Sequence, residues 1–143
     1  MVPRVLIADA LSPAAVAIFR ERGVATDVLV GLAKEELERI IKDYDGLAVR
    51  SATKVTEKLL AAAKQLKVVG RAGIGVDNID VKAATARGII VMNTPFGNSI
   101  TTAEHTLSLM MALARQIPDA DRSTQAGKWE KAKFLGVELF AKT

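Results

Sequence analysis

Three short stretches of this chain combine residue types that can hold a small anion. Val49-Arg50-Ser51 ends an apolar run on a guanidinium and a hydroxyl, a pair able to grip a carboxylate or phosphate through charge-assisted hydrogen bonds. The same pair would serve as well in a surface loop leading into a helix, and the two residues alone leave both readings open. Arg71-Ala72-Gly73-Ile74-Gly75 follows the apolar run Lys67-Val68-Val69-Gly70. Glycines on either side of one residue let backbone amides turn toward an anion, as in a nest, and Arg71 beside them favours an anion over a plain turn. Asn93-Thr94-Pro95-Phe96-Gly97-Asn98-Ser99 opens a long helix whose positive end would face the same crevice. There Asn98 can donate to an oxyanion or serve only the turn and cap.

Other candidates are weaker. Gly73-Ile74-Gly75 superficially matches a dinucleotide fingerprint, but Asn78 stands at the third glycine position and no acid lies near twenty residues further on. His105, the only histidine, lies in an apolar helical stretch without a companion carboxylate and reads as structural. Lys128, Lys131 and Lys133 around Trp129 form a basic loop that is either a solvated face or a reach toward phosphate. Asp9 after the first strand resembles a receiver-domain acid, yet the third strand ends on Arg50, where a receiver needs its acceptor aspartate.

The elements that must position these groups alternate. Strands are expected at Pro3 to Asp9, Val24 to Val30, Gly46 to Val49, Lys67 to Gly70 and Ile89 to Val91. Helices are expected after Ser12-Pro13, ending at Gly23, over Lys34 to Lys42, after Thr56, and from Asp80 to Arg87-Gly88. Short, continuously apolar strands joined by helices indicate a parallel sheet covered on both faces. The fold class is therefore α/β, a flavodoxin-like doubly wound parallel five-stranded sheet with its crevice at the carboxyl ends of the strands. A helix follows, with Thr101 and Glu104 as a capping box and an apolar stripe through Ile100, Ala103, Leu107, Met110 and Ala114. From Pro118 the sequence turns polar and loop-like, and the stretch Gly136 to Thr143 reads as cut rather than finished.

Composition narrows the function. Half the 143 residues are apolar and a quarter charged, which fits a folded domain with a real core. Cysteine is absent, excluding disulfides and thiolate chemistry, and a lone histidine excludes a multi-histidine metal site. The net charge of +4 comes from bases interleaved with acids, and with few aromatics to stack bases it points away from nucleic acid. No signal peptide or membrane span is legible, so the expected location is cytoplasmic, without membrane partners.

Taken jointly, Val49-Arg50-Ser51-Ala52-Thr53-Lys54-Val55-Thr56, Val69 to Asn78 and Asn93 to Ser99 resemble the amino-terminal part of the D-isomer-specific 2-hydroxyacid dehydrogenase family. Gly127-Lys128-Trp129-Glu130-Lys131-Ala132-Lys133-Phe134 is similar to its phosphoglycerate branch. The resemblance implies a substrate domain over 1–97, then an interdomain helix and the start of an NAD-binding domain over 98–143. It implies substrate contacts at Arg50, Ser51, Arg71, Gly73, Ile74, Gly75, Asn98 and Lys131, with Lys131 reaching a neighbouring subunit's site. Ile74 and Thr102 fall where such enzymes touch the nicotinamide end of the cofactor. The implied parent reaction oxidises D-3-phosphoglycerate to 3-phosphohydroxypyruvate with NAD, the entry to serine synthesis. In that family the cofactor glycine motif and the catalytic arginine, glutamate and histidine follow the point where this chain stops. The expectation is thus a truncated piece with no catalytic residue and no metal, inactive alone. It is expected to bind a small phosphorylated hydroxy acid and to form a homo-oligomer through the 100–116 helix region. The alternatives are a non-catalytic anion-binding or self-associating α/β module, or another 2-hydroxyacid dehydrogenase branch.

Overall fold

The computed structural model describes residues 2–141. Met1 lies outside them, as do Lys142 and Thr143 at the end of the Gly136 to Thr143 stretch. The chain divides into two compact units, Met1–Gly97 and Asn98–Thr143.

In the first unit, β1 (Arg4–Ile7), α1 (Pro13–Glu21), β2 (Ala25–Val28), α2 (Lys34–Ile40), β3 (Gly46–Val49), α3 (Glu57–Ala62), β4 (Val68–Arg71), α4 (Val81–Ala86) and β5 (Ile90–Asn93) alternate along the chain. The strands form one parallel sheet in the order β2-β1-β3-β4-β5, the flavodoxin-like order expected. Three helices begin at the anticipated caps. The Ser12 hydroxyl accepts from the Ala14 amide at 3.3 Å, Thr56 from Leu59 at 3.3 Å, and the Asp80 carboxylate from Ala83 at 2.9 Å. Gly88, at φ +70°, supplies the left-handed residue that stops α4. Helix α2 tightens into a 3-10 turn over Ile41–Asp43, which sends Ile41 and Tyr44 into the core.

Parallel register places Leu6, Leu47, Val69 and Val91 in one row across the sheet. That row packs under α2, α3 and α4 through Leu37, Leu59, Leu60 and Ala84 in the main core. The crossover to β2 runs the other way, so a right-handed connection puts α1 on the opposite face. That face is only partly covered. Val5 and Ile7 are buried, but no residue of α1 is, and Ile90 and Met92 stay 61% and 57% exposed. Coverage of both faces, expected from the apolar strands, is therefore realised on one face and on half of the other, because four helices of six to nine residues divide three to one.

In the second unit, α5 (Ser99–Ala114) and α6 (Ile117–Gln125) are joined through Gln116, which is left-handed at φ 53°. Two expectations are corrected here. The helix starts at Ser99, so Thr101 lies inside its first turn and cannot cap it; the cap position is Asn98, whose side chain makes no capping bond. The polar stretch after Pro118 is helical rather than loop-like, since proline in a first turn costs no hydrogen bond and pre-sets φ. Met110, Leu113 and Leu139 line a groove with Gly136 and Val137, whose amide donates to the Ala114 carbonyl at 2.8 Å. Among the described residues no helix is long and apolar enough to cross a membrane.

Candidate functional site

Every parallel strand of the first unit delivers its following loop to one edge of the sheet, so the loops after β1, β3, β4 and β5 meet there. Asp9, just past β1, is buried at 5% exposure. Its Oδ2 accepts the Arg50 amide at 2.6 Å and the Thr53 amide at 3.2 Å, and its Oδ1 accepts the Thr53 hydroxyl at 2.6 Å. Burial, the largest single influence, would raise the Asp9 pKa, but hydrogen bonds from the Thr53 hydroxyl and the Arg50, Thr53 and Ala52 amides together outweigh it. The carboxyl ends up below the ordinary aspartate value. A fixed negative charge thus ties down the turn that carries Arg50 and Ser51.

A second clamp comes from the other side. The Asn78 side-chain amide donates to the Arg50 carbonyl at 2.8 Å and to the Thr53 carbonyl at 2.6 Å. The parallel bridge between Val55 and Ile79 continues the join. The Val55 amide donates to the Asn78 carbonyl at 2.8 Å, and the Asp80 amide to the Val55 carbonyl at 2.9 Å. From β5, the Asn93 side-chain Nδ2 donates to the Ile74 carbonyl at 2.6 Å and the Thr94 backbone N–H to the Gly73 carbonyl at 3.0 Å. With both carbonyls occupied from below, the N–H groups of Ile74 and Gly75 donate to no described residue.

Beneath this turn lies Arg71. Its side chain is 10% exposed, its Nη1 donates to Asp77 Oδ1 at 2.9 Å, and its buried Nε has no partner among the described residues. Asp77 is 84% exposed, and the hydrogen bond from Arg71 is the chief cause holding its carboxyl below the usual range. Of the two glycines, Gly75 is the one crowded by this guanidinium. Neither has positive φ. A Cβ on Gly75 would sit 2.9 Å from Arg71 Nη1 and 2.8 Å from Asp77 Oδ1, whereas one on Gly73 would meet Arg71 Nε at 3.7 Å.

Of the residues singled out in the sequence, Arg50, Ser51, Arg71, Gly73, Ile74 and Gly75 therefore stand on interlocked loops of the first unit. Asn98, Thr102 and Lys131 belong to the second. There Asn98 precedes α5, Thr102 is exposed in its first turns, and Lys131 is exposed in a 3-10 turn, with no ion pair among the described residues. His105 is exposed on α5 and hence not a core residue, so the structural role expected of it is not packing. A dinucleotide finds little to hold it. Ile74 is 44% exposed, but the Gly73–Gly75 turn lacks the third glycine, so the described residues do not fit a pyrophosphate.

Sequence reading missed the clamps. By position Asp9 suggests only a receiver-like acid after the first strand, and Asn78 only the missing third glycine of a dinucleotide loop. An acid at the end of a first parallel strand and an asparagine closing a glycine loop are faint signals, because their bonds are made to backbone atoms 25 to 44 residues away.

Residues 5–141 match the sequence profile of the D-isomer specific 2-hydroxyacid dehydrogenase catalytic domain. Over 98% of its length the chain is 52% identical to D-3-phosphoglycerate dehydrogenase of Archaeoglobus fulgidus and 53% identical to that of Homo sapiens, covering 27% and 26% of those proteins. It thus spans about a quarter of the length of the curated relatives it matches. A Thermus thermophilus protein of solved structure superposes with a TM-score of 0.82 at 33% identity, over 95% of this chain and 45% of that one. The NAD+-bound 3-phosphoglycerate dehydrogenase of Entamoeba histolytica does so at 0.71 and 30% identity, over 80% and 40%. The interlocked loops thus lie on a fold shared with these proteins, and the chain belongs to the D-isomer specific 2-hydroxyacid dehydrogenase family.

Proposed function

We propose that this chain is the substrate-side part of an NAD-dependent dehydrogenase that oxidises D-3-phosphoglycerate to 3-phosphohydroxypyruvate. The observation that carries the proposal is Arg71, a nine-tenths buried guanidinium with an unpartnered Nε, beneath a turn whose Ile74 and Gly75 amides are open. A desolvated cation and two adjacent N–H groups that donate to no described residue suit a carboxylate or phosphate. The identity near half to dedicated phosphoglycerate enzymes over 98% of the chain supports that substrate over other hydroxy acids. In this reading residues 1–97 are the substrate domain, Arg50 and Ser51 contact the substrate from the β3 loop, Asn98 is a further substrate contact, and Lys131 serves the site of a neighbouring subunit. Ile74 and Thr102 face the nicotinamide end of NAD, which in the whole enzyme accepts the hydride.

Alone, the 143-residue polypeptide binds and does not turn over. Its one histidine is exposed and makes no hydrogen bond to a described residue, so this imidazole is not positioned as a general base. Calorimetric titration with D-3-phosphoglycerate is expected to show binding that Arg50→Ala and Asn98→Ala each weaken, with no NADH absorbance when NAD is added. Absence of binding by the folded wild-type chain, or robust turnover, would overturn the reading.

A second reading, self-association, is favoured by α5. Ile100, Leu107, Met110 and Leu113 are 77%, 61%, 52% and 82% exposed, a larger apolar face than single chains usually leave in water. Light scattering is expected to give a dimer or larger species at tens of micromolar, shifted toward monomer by Leu107→Glu with Leu113→Glu. A monomer at all concentrations would count against it.

A further inference from the structure

An open sheet leaves main-chain groups unpaired along its two outer strands, and charge, proline or a covering element normally guards them. The two edges of this sheet are guarded unequally. At one edge β2 carries Asp27, whose carboxylate accepts from Arg4 Nη2 at 2.8 Å and from the Tyr44 hydroxyl at 2.9 Å. A charged pair therefore lies along that edge. The other edge is β5, and the run from Gly88 to Thr94 that contains it has no charged residue and no proline.

The register fixes which groups of β5 are free. The Ile90 N–H donates to the Lys67 carbonyl at 2.9 Å and the Thr94 N–H to the Gly73 carbonyl at 3.0 Å. In a parallel ladder alternate residues face the partner strand. Ile90 and Met92 therefore bond toward β4, while the N–H and C=O groups of Val91 and Asn93 point away from it. No described strand pairs with that outer side. Val91 packs against the core cluster, and Ile90 and Met92 stand on the opposite, bare face at 61% and 57% exposure.

Free main-chain donors and acceptors in this spacing are matched by another strand, and β5 is complementary to itself. Two copies laid antiparallel about Val91 exchange both hydrogen bonds of that residue and set Asn93 of each opposite Ile89 of the other. The same register places Ile90 of each copy beside Met92 of the other on the bare face, in the closer, non-hydrogen-bonded kind of pair. A two-fold contact requires this reciprocity.

We propose that the β5 edge is a pairing surface for a second copy of this chain, joining two sheets into one through antiparallel β5 strands. The contact belongs to the first unit, is separate from the α5 face, and does not depend on the identity of the substrate. It is short, smaller than a stable interface requires, so it forms at high concentration.

The test is amide hydrogen exchange resolved to single residues, in dilute and in near-millimolar solution. It uses the Leu107→Glu/Leu113→Glu chain, so that α5 contributes no contact. Exchange at Val91 and Asn93 is expected to slow at least about tenfold with concentration, whereas Thr26 and Val28, the outward amides of the guarded β2 edge, keep their rates. Met92→Lys should abolish the slowing, because it brings an ammonium into an apolar pair. Ile90→Glu/Met92→Lys should restore it, since each new carboxylate then stands beside the other copy's new ammonium. Exchange independent of concentration at Val91 and Asn93 would overturn the proposal. So would a slowing that survives Met92→Lys, or a double variant no better than the single one. The concentration dependence needs no substitution in β5, so a misfolded β5 variant leaves the test standing.

Discussion

Asp9→Ala is expected to lower the unfolding free energy by roughly 2–4 kcal/mol, read as a fall in the urea midpoint at unchanged slope. The side chain is 5% exposed and accepts three hydrogen bonds, from the Arg50 amide, the Thr53 amide and the Thr53 hydroxyl. Alanine leaves all three donors without a partner in a partly dry site. Removal of one side of a buried bond costs more than the bond itself contributed. Asp9→Asn should do little better, because its NH2 group would face donors.

The pH dependence has a definite sign. The folded pKa of Asp9 lies below the ordinary value of 3.8, so between the two the unfolded chain binds more protons than the folded one. The stabilisation is complete above the unfolded value and lost as pH falls through the folded one. Wild type should therefore weaken below about pH 4, and the Asp9→Asn variant should weaken less steeply over the same interval. An alanine variant as stable as wild type, or parallel acid titrations of the two proteins, would remove Asp9 from its organising role. Under the proposed function D-3-phosphoglycerate affinity should also fall in Asp9→Ala, since the turn carrying Arg50 and Ser51 loses its anchor.

Arg71→Met is expected to separate stability from binding. The guanidinium is 10% exposed, with one ion pair to an 84% exposed carboxylate and a buried Nε that has no partner among the described residues. Its desolvation is thus poorly compensated in the ligand-free chain, and a hydrophobic side chain of similar length should change stability by no more than about 1 kcal/mol. Under the proposed function the same substitution deletes the buried cation that a bound anion would face. A charge-assisted hydrogen bond is worth about 1.5–3 kcal/mol, so affinity for D-3-phosphoglycerate should fall about 10- to 150-fold by calorimetry. Severe destabilisation with unchanged affinity would make Arg71 a structural residue only.

Much of this architecture was legible because its causes are local. Val5-Leu6-Ile7 and Leu47-Ala48-Val49 announce buried parallel strands by being apolar at successive positions, and Ser12, Thr56 and Asp80 announce helix starts because a cap bonds amides two or three residues away. The misreadings have local causes too. Thr101 and Glu104 carry capping-box spacing, yet Ser99 already adopts the helix. Pro118 suggested a break, although in a first turn proline is harmless.

By itself, then, the sequence determined the strand order class, the starts of α1, α3 and α4 and the loops that carry Arg50, Arg71 and the paired glycines, since these depend on neighbours along the chain. Only the tertiary structure decided what those loops are fastened to. Asp9 reaches Thr53 across 44 residues, Asn78 reaches Arg50 across 28 and Asn93 reaches Ile74 across 19. It alone showed that Gly75 lacks a side chain because the Arg71–Asp77 pair occupies that space. Hydrogen bonds to distant backbone atoms and the volume of a buried guanidinium leave no periodic trace in a sequence. They exist only once the sheet has brought the ends of its strands together.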